Sequence, residues 1–293
     1  MASSHVFLAI IINLIWGSMY IAASIGLREF PPILFTGIRF LLLLICLFYF
    51  LKVEKHLIMP LFKVGLLMGT GMYLTLYLSI SLADNISSVA LFGKLEVPFA
   101  ILFGILLLNE KVGIRRISGV AIAMLGAMII SFDPGAINDI PALAWMAVSC
   151  AIAAYGMIKI RALGSIHPLT IVAWISLVSA PTLLMTSYLF ESEQGAVMEN
   201  ASWVGWTALV YTAVMSSLVA NSGLYYLLQR YPVSQVAPYS LLSPIFAVIG
   251  GLVILNDQLT WGMIIGGILI LGGVGWIHIR TNTLSVQQLP PTN

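Results

Sequence analysis

The chain has 293 residues, of which 60% are hydrophobic and only 8% are charged, and its formal net charge is +2 at pH 7. Soluble domains carry about 25% charged residues, so this composition excludes a soluble protein and indicates an integral membrane protein. The small net charge argues against a nucleic-acid-binding surface. The sequence has neither metal-ligand spacings nor a phosphate-binding loop or nucleophile turn, so it predicts no cofactor, no metal and no enzymatic activity.

Ten segments are long and apolar enough to cross a bilayer as helices, which takes roughly 20 residues each. In chain order, the predicted spans cover residues 5–27, 31–51, 61–83, 86–108, 113–131, 141–161, 167–190, 202–228, 233–255 and 260–279. Residues 281–293 are polar and predict a short cytoplasmic tail. The predicted fold is therefore an all-α membrane protein with ten transmembrane helices.

Three charged residues lie well inside these spans: Arg39 in the second, and Lys94 and Glu96 in the fourth. They lie about 12 to 15 Å into their helices, close to the middle of a hydrocarbon core of roughly 30 Å. Charges at that depth are costly and usually mark a substrate or ion path. Arg39 and Lys94 are two cations and Glu96 is one anion, so a substrate carboxylate would neutralise the remaining cation. Glu96 could bind a substrate ammonium group or carry a proton. The alternative is a structural network of ion pairs that only fixes helix packing.

Aromatic and amide side chains accompany these charges at intermediate depth. Trp16 and Tyr20 are four residues apart on the first span, so they share one helix face. Tyr73 and Tyr77 repeat this spacing on the third span. The candidates in the second half are Tyr155, Trp174, Asn221, Tyr225 and Tyr239. The aromatic residues either line a substrate cavity or pack in the core, and Asn221 could equally bond a neighbouring helix.

Prolines and glycines mark places where the helices can bend or approach closely. Pro98 and Pro244 interrupt the fourth and ninth spans and are predicted hinges, because proline removes a backbone donor. The last span contains a pattern of small residues that begins with Gly262 and Gly266. Such a pattern indicates close helix packing, either within the monomer or between the subunits of a homodimer.

The chain also resembles itself. Residues 87–127 match residues 234–274 without gaps at an offset of 147, and glycines coincide at three positions. Two halves of five spans each, residues 1–135 and 136–280, would enter the membrane from opposite sides, which is the inverted repeat of many transporters. Ser243 is the counterpart of Glu96, so the predicted site is asymmetric, and Ser243 joins the cavity candidates.

The charges in the loops predict the orientation. With the N-terminus in the cytoplasm, the inside loops and their flanks hold ten basic residues and the outside loops hold only Arg28. The outside loops collect acidic residues instead, namely Asp84, Asp133, Asp139, Glu191, Glu193, Glu199 and Asp257. This asymmetry follows the positive-inside rule and predicts that both termini are cytoplasmic.

Four segments carry a resemblance to a known family: "WGSMYIAA", "FPPILFTGIRFLLL", "LNEKVGIRRISGVAIAMLGAMII" and the stretch from "LLQRYPVSQVAPYSLLSPIFAVIGG" to "WGMIIGGILILGG". They resemble the EamA family of the drug/metabolite transporter superfamily, and the last is most similar to the bacterial O-acetylserine/cysteine exporter branch. The resemblance implies ten helices in a five-plus-five inverted repeat, and export of amino acids or related metabolites.

The sequence therefore predicts a secondary transporter of the bacterial inner membrane that exports small metabolites by alternating access through a cavity between the repeats. Its expected partners are a small-molecule substrate and the lipid bilayer. Proton coupling through Glu96 and simple facilitated export are both compatible with the residues. The alternatives are a drug, pigment or nucleotide-sugar carrier, or a non-transporting membrane partner such as a flippase subunit or scaffold.

Overall fold

A computed structural model describes residues 2–108, 113–133, 138–163, 166–228, 230–231 and 236–278 of the chain. Its long apolar helices are α1 (Ser3–Leu27), α2 (Pro32–Leu51), α3 (Lys55–Ser81), α4 (Ile86–Leu107), α5 (Ile114–Ser131), α6 (Ile140–Ile160), α7 (Pro168–Phe190), α8 (Trp203–Leu224), α9 (Tyr239–Leu255) and α10 (Trp261–Ile277). In these ranges the first eight are long enough to cross a membrane, α9 and α10 are shorter, and no strand occurs. The prediction of an all-α membrane fold is confirmed, and every predicted span overlaps one of these helices. The predicted tail lies outside the described residues.

Two helices contain tight turns next to a proline. α4 passes through a 3-10 turn at Gly93–Leu95, shortly before Pro98. Because Pro98 has no N–H to donate to the carbonyl of Lys94, the regular helical ladder is interrupted there. A second 3-10 turn, Ala237–Leu241, overlaps the start of α9, shortly before Pro244.

Wider, π-helical turns occur in three helices. They lie at Gly65–Met72 in α3, at Thr212–Ala220 in α8 and at Gly251–Leu255 in α9. π-helical turns are rare and often occur at functional sites. The first residues of the turns in α3 and α8 are 147 positions apart, which is the offset of the sequence repeat.

The two halves of the chain interlock. α2 packs along α7, and α5 packs along α10. α1 packs against α8 and α9 of the second half, while α6 packs against α3 and α4 of the first half. Each half therefore places its first helix among the helices of the other, which brings α1 and α6 to the centre of the molecule.

Glycines allow α5 and α10 to approach closely. A Cβ atom added to Gly119 would lie 2.8 Å from the carbonyl oxygen of Gly273, and one added to Gly273 would lie 2.6 Å from that of Gly119. Gly126 and Gly266 meet in the same reciprocal way, at 2.5 and 2.6 Å. The small-residue pattern of the last span thus serves packing within the chain, which was one of the two predicted uses.

Carboxylates accept hydrogen bonds from the N-termini of α2 and α4, which begin at the same face of the molecule. Glu191 accepts hydrogen bonds of 2.8 Å from the N–H groups of Ile33 and Leu34 at the start of α2. Asp257 accepts bonds from the N–H and the hydroxyl of Ser87, at 2.8 and 2.7 Å. Carboxylates are stabilised at helix N-termini because unpaired N–H groups and the helix dipole favour negative charge there. These contacts tie loops of the second half to helices of the first.

Asp139 also accepts hydrogen bonds at the start of α4. Its carboxylate accepts bonds from the N–H groups of Asp84 and Asn85, at 2.7 and 3.3 Å, and from the Ser88 hydroxyl at 3.0 Å. Its side chain is almost fully buried. Burial raises the pKa of the Asp139 carboxyl above its ordinary value, although these hydrogen bonds oppose the shift.

Candidate functional site

A cavity of about 560 Å³ lies between the interlocked halves. Residues of α1–α4, of α6–α8 and of the turn and helix at α9 line it. Its wall extends from Tyr20 and Gly93 toward the face of the N-terminus, where it includes Ala9, Ile171 and Leu227. A mostly apolar wall with a few polar groups is typical of a small-molecule site.

Lys94 and Glu96 contribute the charged part of this wall. Lys94 lies in the 3-10 turn of α4, Glu96 begins the next helical segment, and both are partly buried. Among the described residues the one ion pair within 4.0 Å joins His56 and Glu54. Neither the ion-pair network considered as an alternative nor a pair between Glu96 and Arg39 is therefore present in this part of the chain.

The turn that carries these charges depends on a glycine. A Cβ atom added to Gly93 would lie 2.7 Å from the hydroxyl oxygen of Tyr20. The absence of a side chain therefore lets Tyr20 pack directly on the turn. The thiol of Cys150 donates to the carbonyl oxygen of Gly93, at 3.3 Å. The turn is thus held between α1 and α6, and Lys94 is presented beside it.

The structure brings eight of the predicted candidates together in the cavity wall: Trp16, Tyr20, Tyr73, Lys94, Glu96, Asn221, Tyr239 and Ser243. They come from five different helices and from both halves of the chain. Whether they contact a substrate remains a prediction.

The remaining candidates lie elsewhere. Tyr77 is fully buried in the core, with its ring centroid 5.3 Å from that of Phe35. The indole N–H of Trp174 donates to the carbonyl of Leu51 at 3.1 Å, which gives the last carbonyl of α2 a hydrogen-bond partner. Tyr155 lines a separate groove between α3 and α6. The side chain of Tyr225 lies outside the described part of the chain.

The two predicted hinges lie beside the cavity. Pro98 and Pro244 are both buried, each just after a 3-10 turn that contributes residues to the wall. The tight turns fit a place where a helix can bend. The hinge role itself remains a prediction.

Arg39 lies one layer behind the wall. It is fully buried, its Nε donates to the carbonyl of Thr212 at 3.2 Å, and its Nη2 donates to the hydroxyl of Ser217. Its guanidinium carbon lies 4.4 Å from the ring centroid of Tyr73. Arg39 does not line the cavity, but Tyr73 and Ser217 do.

Sequence reasoning missed several residues of the wall. Ser216 and Ser217 lie in the π-helical turn of α8, and the only signal for them was a pair of serines in the middle of a span. Five methionines also line the cavity, namely Met19, Met68, Met72, Met146 and Met157. Methionine is apolar, so it does not stand out among core residues in a membrane sequence.

Comparison with known proteins places the chain among transporters. The model of the EamA-like transporter family matches twice, over residues 3–132 and 140–279. The chain belongs to the EamA-like transporter family. A Salmonella typhimurium protein named "Probable amino-acid metabolite efflux pump" is 24% identical over 278 residues, which are 92% of each chain. An Escherichia coli K12 protein named "Uncharacterized inner membrane transporter YedA" is 27% identical over 260 residues, covering 81% of this chain and 78% of that protein.

A solved crystal structure shares the fold of this EamA transporter. It superposes with a TM-score of 0.64 at 18% sequence identity, covering 94% of this chain and 96% of the other. The family and the apolar helices together make the protein a multi-pass membrane transporter.

Proposed function

We propose that this EamA transporter is a secondary transporter that exports amino acids or closely related zwitterions from the bacterial cytoplasm across the inner membrane. The observation that carries the proposal is the pair of charges in the cavity wall, Lys94 and Glu96, which have no ion-pair partner among the described residues. An amino acid offers a carboxylate to one and an ammonium group to the other. The name of the Salmonella relative points to the same class of substrate.

The walls favour a substrate with a large apolar side chain. Trp16, Tyr20, Tyr73 and Tyr239 supply aromatic surface, and the five methionines supply flexible apolar surface. Methionine side chains adapt to differently shaped partners, so several apolar amino acids could share this cavity.

An inverted repeat supports alternating access. The contacts of Gly119 with Gly273 and of Gly126 with Gly266 exchange repeat-equivalent positions, as a two-fold relation between the halves requires. The matching π-helical turns of α3 and α8 and the exchanged packing of α1 and α6 agree with that relation. Two such halves can rock about a central site and open it to either side.

The described conformation corresponds to a state that faces the cytoplasm. The cavity wall reaches toward the face of the N-terminus, whose loops and helix ends carry most of the basic residues. The opposite face is held by the bonds of Asp139, Glu191 and Asp257 to helix N-termini. With the positive-inside rule, the first face is cytoplasmic and both termini lie inside.

Counterflow in proteoliposomes tests the proposed function. Liposomes that contain the purified protein and are preloaded with unlabelled phenylalanine should accumulate external labelled phenylalanine, and protein-free liposomes should not. Competition by leucine and methionine should exceed competition by a nucleotide sugar or a cationic dye. Accumulation equal to that of protein-free liposomes for every amino acid would contradict the proposal and favour a non-transporting partner.

A further inference from the structure

Arg39 is a buried cation whose charge is not neutralised. Its two hydrogen-bond acceptors, the Thr212 carbonyl and the Ser217 hydroxyl, are both neutral. Within the described residues, Nη1 has no hydrogen-bond partner and no carboxylate lies within 4.0 Å of the guanidinium. A charge removed from water without a counter-ion is costly, and such charges usually serve a function in membrane proteins.

Aromatic rings surround this cation and separate it from the cavity. Its Cζ atom lies 4.4 Å from the ring centroid of Tyr73, 5.3 Å from that of Phe40 and 5.5 Å from that of Tyr77. Phe40 and Tyr73 also line the cavity. Ring faces attract a guanidinium, but they supply no negative charge and accept no strong hydrogen bond.

Ser217 connects the arginine to the cavity. Its oxygen accepts the bond from Arg39 Nη2, and Ser217 is one of the residues that line the cavity. A hydroxyl that accepts a bond through its oxygen can still donate its own hydrogen. Among the described residues, no hydrogen-bond acceptor lies within 3.5 Å of this hydroxyl in a suitable geometry. Its hydrogen is therefore available to a group in the cavity, and the neighbouring cation strengthens it as a donor.

We propose that Ser217 and Arg39 form a carboxylate subsite in the cavity wall. The Ser217 hydroxyl donates to the carboxylate, and the Arg39 guanidinium, which lies against the ring of Tyr73, supplies the positive charge from behind. The π-helical turn of α8 places both bonding groups, Thr212 and Ser217, on the arginine. The subsite rests on the proposed function, and it gives the carboxylate of the substrate a second contact, on α8, in addition to Lys94 on α4.

Binding of a matched pair of compounds tests this subsite. Phenylalanine and phenylalaninamide share the amine and the ring, but only phenylalanine has a carboxylate. Their ability to inhibit phenylalanine counterflow would be compared in the wild type and in Ser217→Ala. We expect Ser217→Ala to weaken inhibition by phenylalanine about tenfold and inhibition by phenylalaninamide less, because the lost bond is charge-assisted with the carboxylate but not with the neutral amide oxygen. Ser176→Ala is the control, since Ser176 is a buried serine that donates only to the Val172 carbonyl.

Two arginine variants separate charge from folding. The wild type should prefer phenylalanine over its amide. Arg39→Gln should reduce this preference, and Arg39→Lys should restore part of it because the charge remains. Arg28→Gln, on an exposed loop arginine, should change nothing. A preference that is as large in both Ser217→Ala and folded Arg39→Gln as in the wild type would overturn the subsite while leaving the proposed function intact. If the wild type transports no amino acid, the proposed function fails and the subsite fails with it.

Discussion

Lys94 and Glu96 owe their position to uncharged neighbours. Gly93 leaves room for Tyr20, and Pro98 interrupts the backbone ladder, so α4 makes a tight turn where the charges begin. The position of both charges within α4 could be predicted from the sequence, because a long apolar segment identifies the helix. The absence of an ion pair between Glu96 and Arg39 could not, because it depends on which side chains of other helices fill the space between them.

Removing the charge of Glu96 should weaken substrate binding. Glu96→Gln keeps the shape of the side chain but loses the negative charge that attracts an ammonium group. A hydrogen bond to a charged group contributes roughly 1.5–3 kcal/mol. We expect counterflow and pH-gradient-driven uptake of phenylalanine to fall together, at least tenfold, while Glu54→Gln at an exposed surface changes neither. Loss of gradient-driven uptake with normal counterflow would instead assign Glu96 to proton transfer.

Tyr73 should stabilise the protein through its contact with Arg39. The ring lies 4.4 Å from the guanidinium carbon, and a desolvated cation–π contact contributes about 2 kcal/mol. Tyr73→Leu should therefore lower the thermal unfolding temperature in detergent more than Tyr188→Leu, because Tyr188 is 79% exposed. Equal unfolding temperatures for the two variants would show that the contact contributes little.

At the scale of elements, helix N-termini meet carboxylates from turns and loops that are distant in the chain. The start of α4 receives Asp139 from the turn before α6 and Asp257 from the loop after α9. The sequence predicted that the acidic residues would gather on one face, because loop charge follows topology. It gave no sign that they would cap helices distant in the chain, since such contacts depend on how the halves interlock.

The buried carboxyl of Asp139 should make stability depend on pH. Burial raises its pKa in the folded protein, with nearby Asp84 adding to the shift, so the folded state holds this proton more tightly than the unfolded state does. This contribution is fully present below the ordinary pKa of the carboxyl and is lost as pH rises through the raised value. The unfolding temperature of the wild type relative to Asp139→Asn should therefore fall as pH rises through that window. A difference that is constant across it would contradict the assigned cause.

The contact of α5 with α10 should not tolerate a side chain. A Cβ atom at Gly126 would lie 2.5 Å from the carbonyl oxygen of Gly266, whereas one at Gly272 meets no atom within 4 Å. Overpacking costs typically 1–3 kcal/mol, so Gly126→Ala should unfold at a lower temperature in detergent and Gly272→Ala should match the wild type. Equal unfolding of both variants would argue against this close packing.

At the scale of the molecule, composition and apolar segment length were sufficient to predict the all-α membrane fold, because only helices or closed barrels satisfy their backbone in lipid. The cavity was less predictable. The cavity wall contains Trp16, Tyr73 and Asn221, whereas Trp174 bonds the end of α2 and Tyr77 packs in the core. In the sequence all five were candidates of the same kind, because each lies within a predicted span. Membrane helices are apolar on all sides, so periodicity does not reveal which side faces the centre.

Accessibility of the cavity from the two sides of the membrane tests alternating access most directly. Met72→Cys would place a single thiol in the wall once Cys46 and Cys150 are replaced by serine. In oriented vesicles, an impermeant thiol reagent should label this residue from the cytoplasmic side in the absence of substrate. Saturating phenylalanine should slow that labelling and increase labelling from the opposite side. Labelling that is equally fast from both sides, or that phenylalanine does not change, would contradict the account.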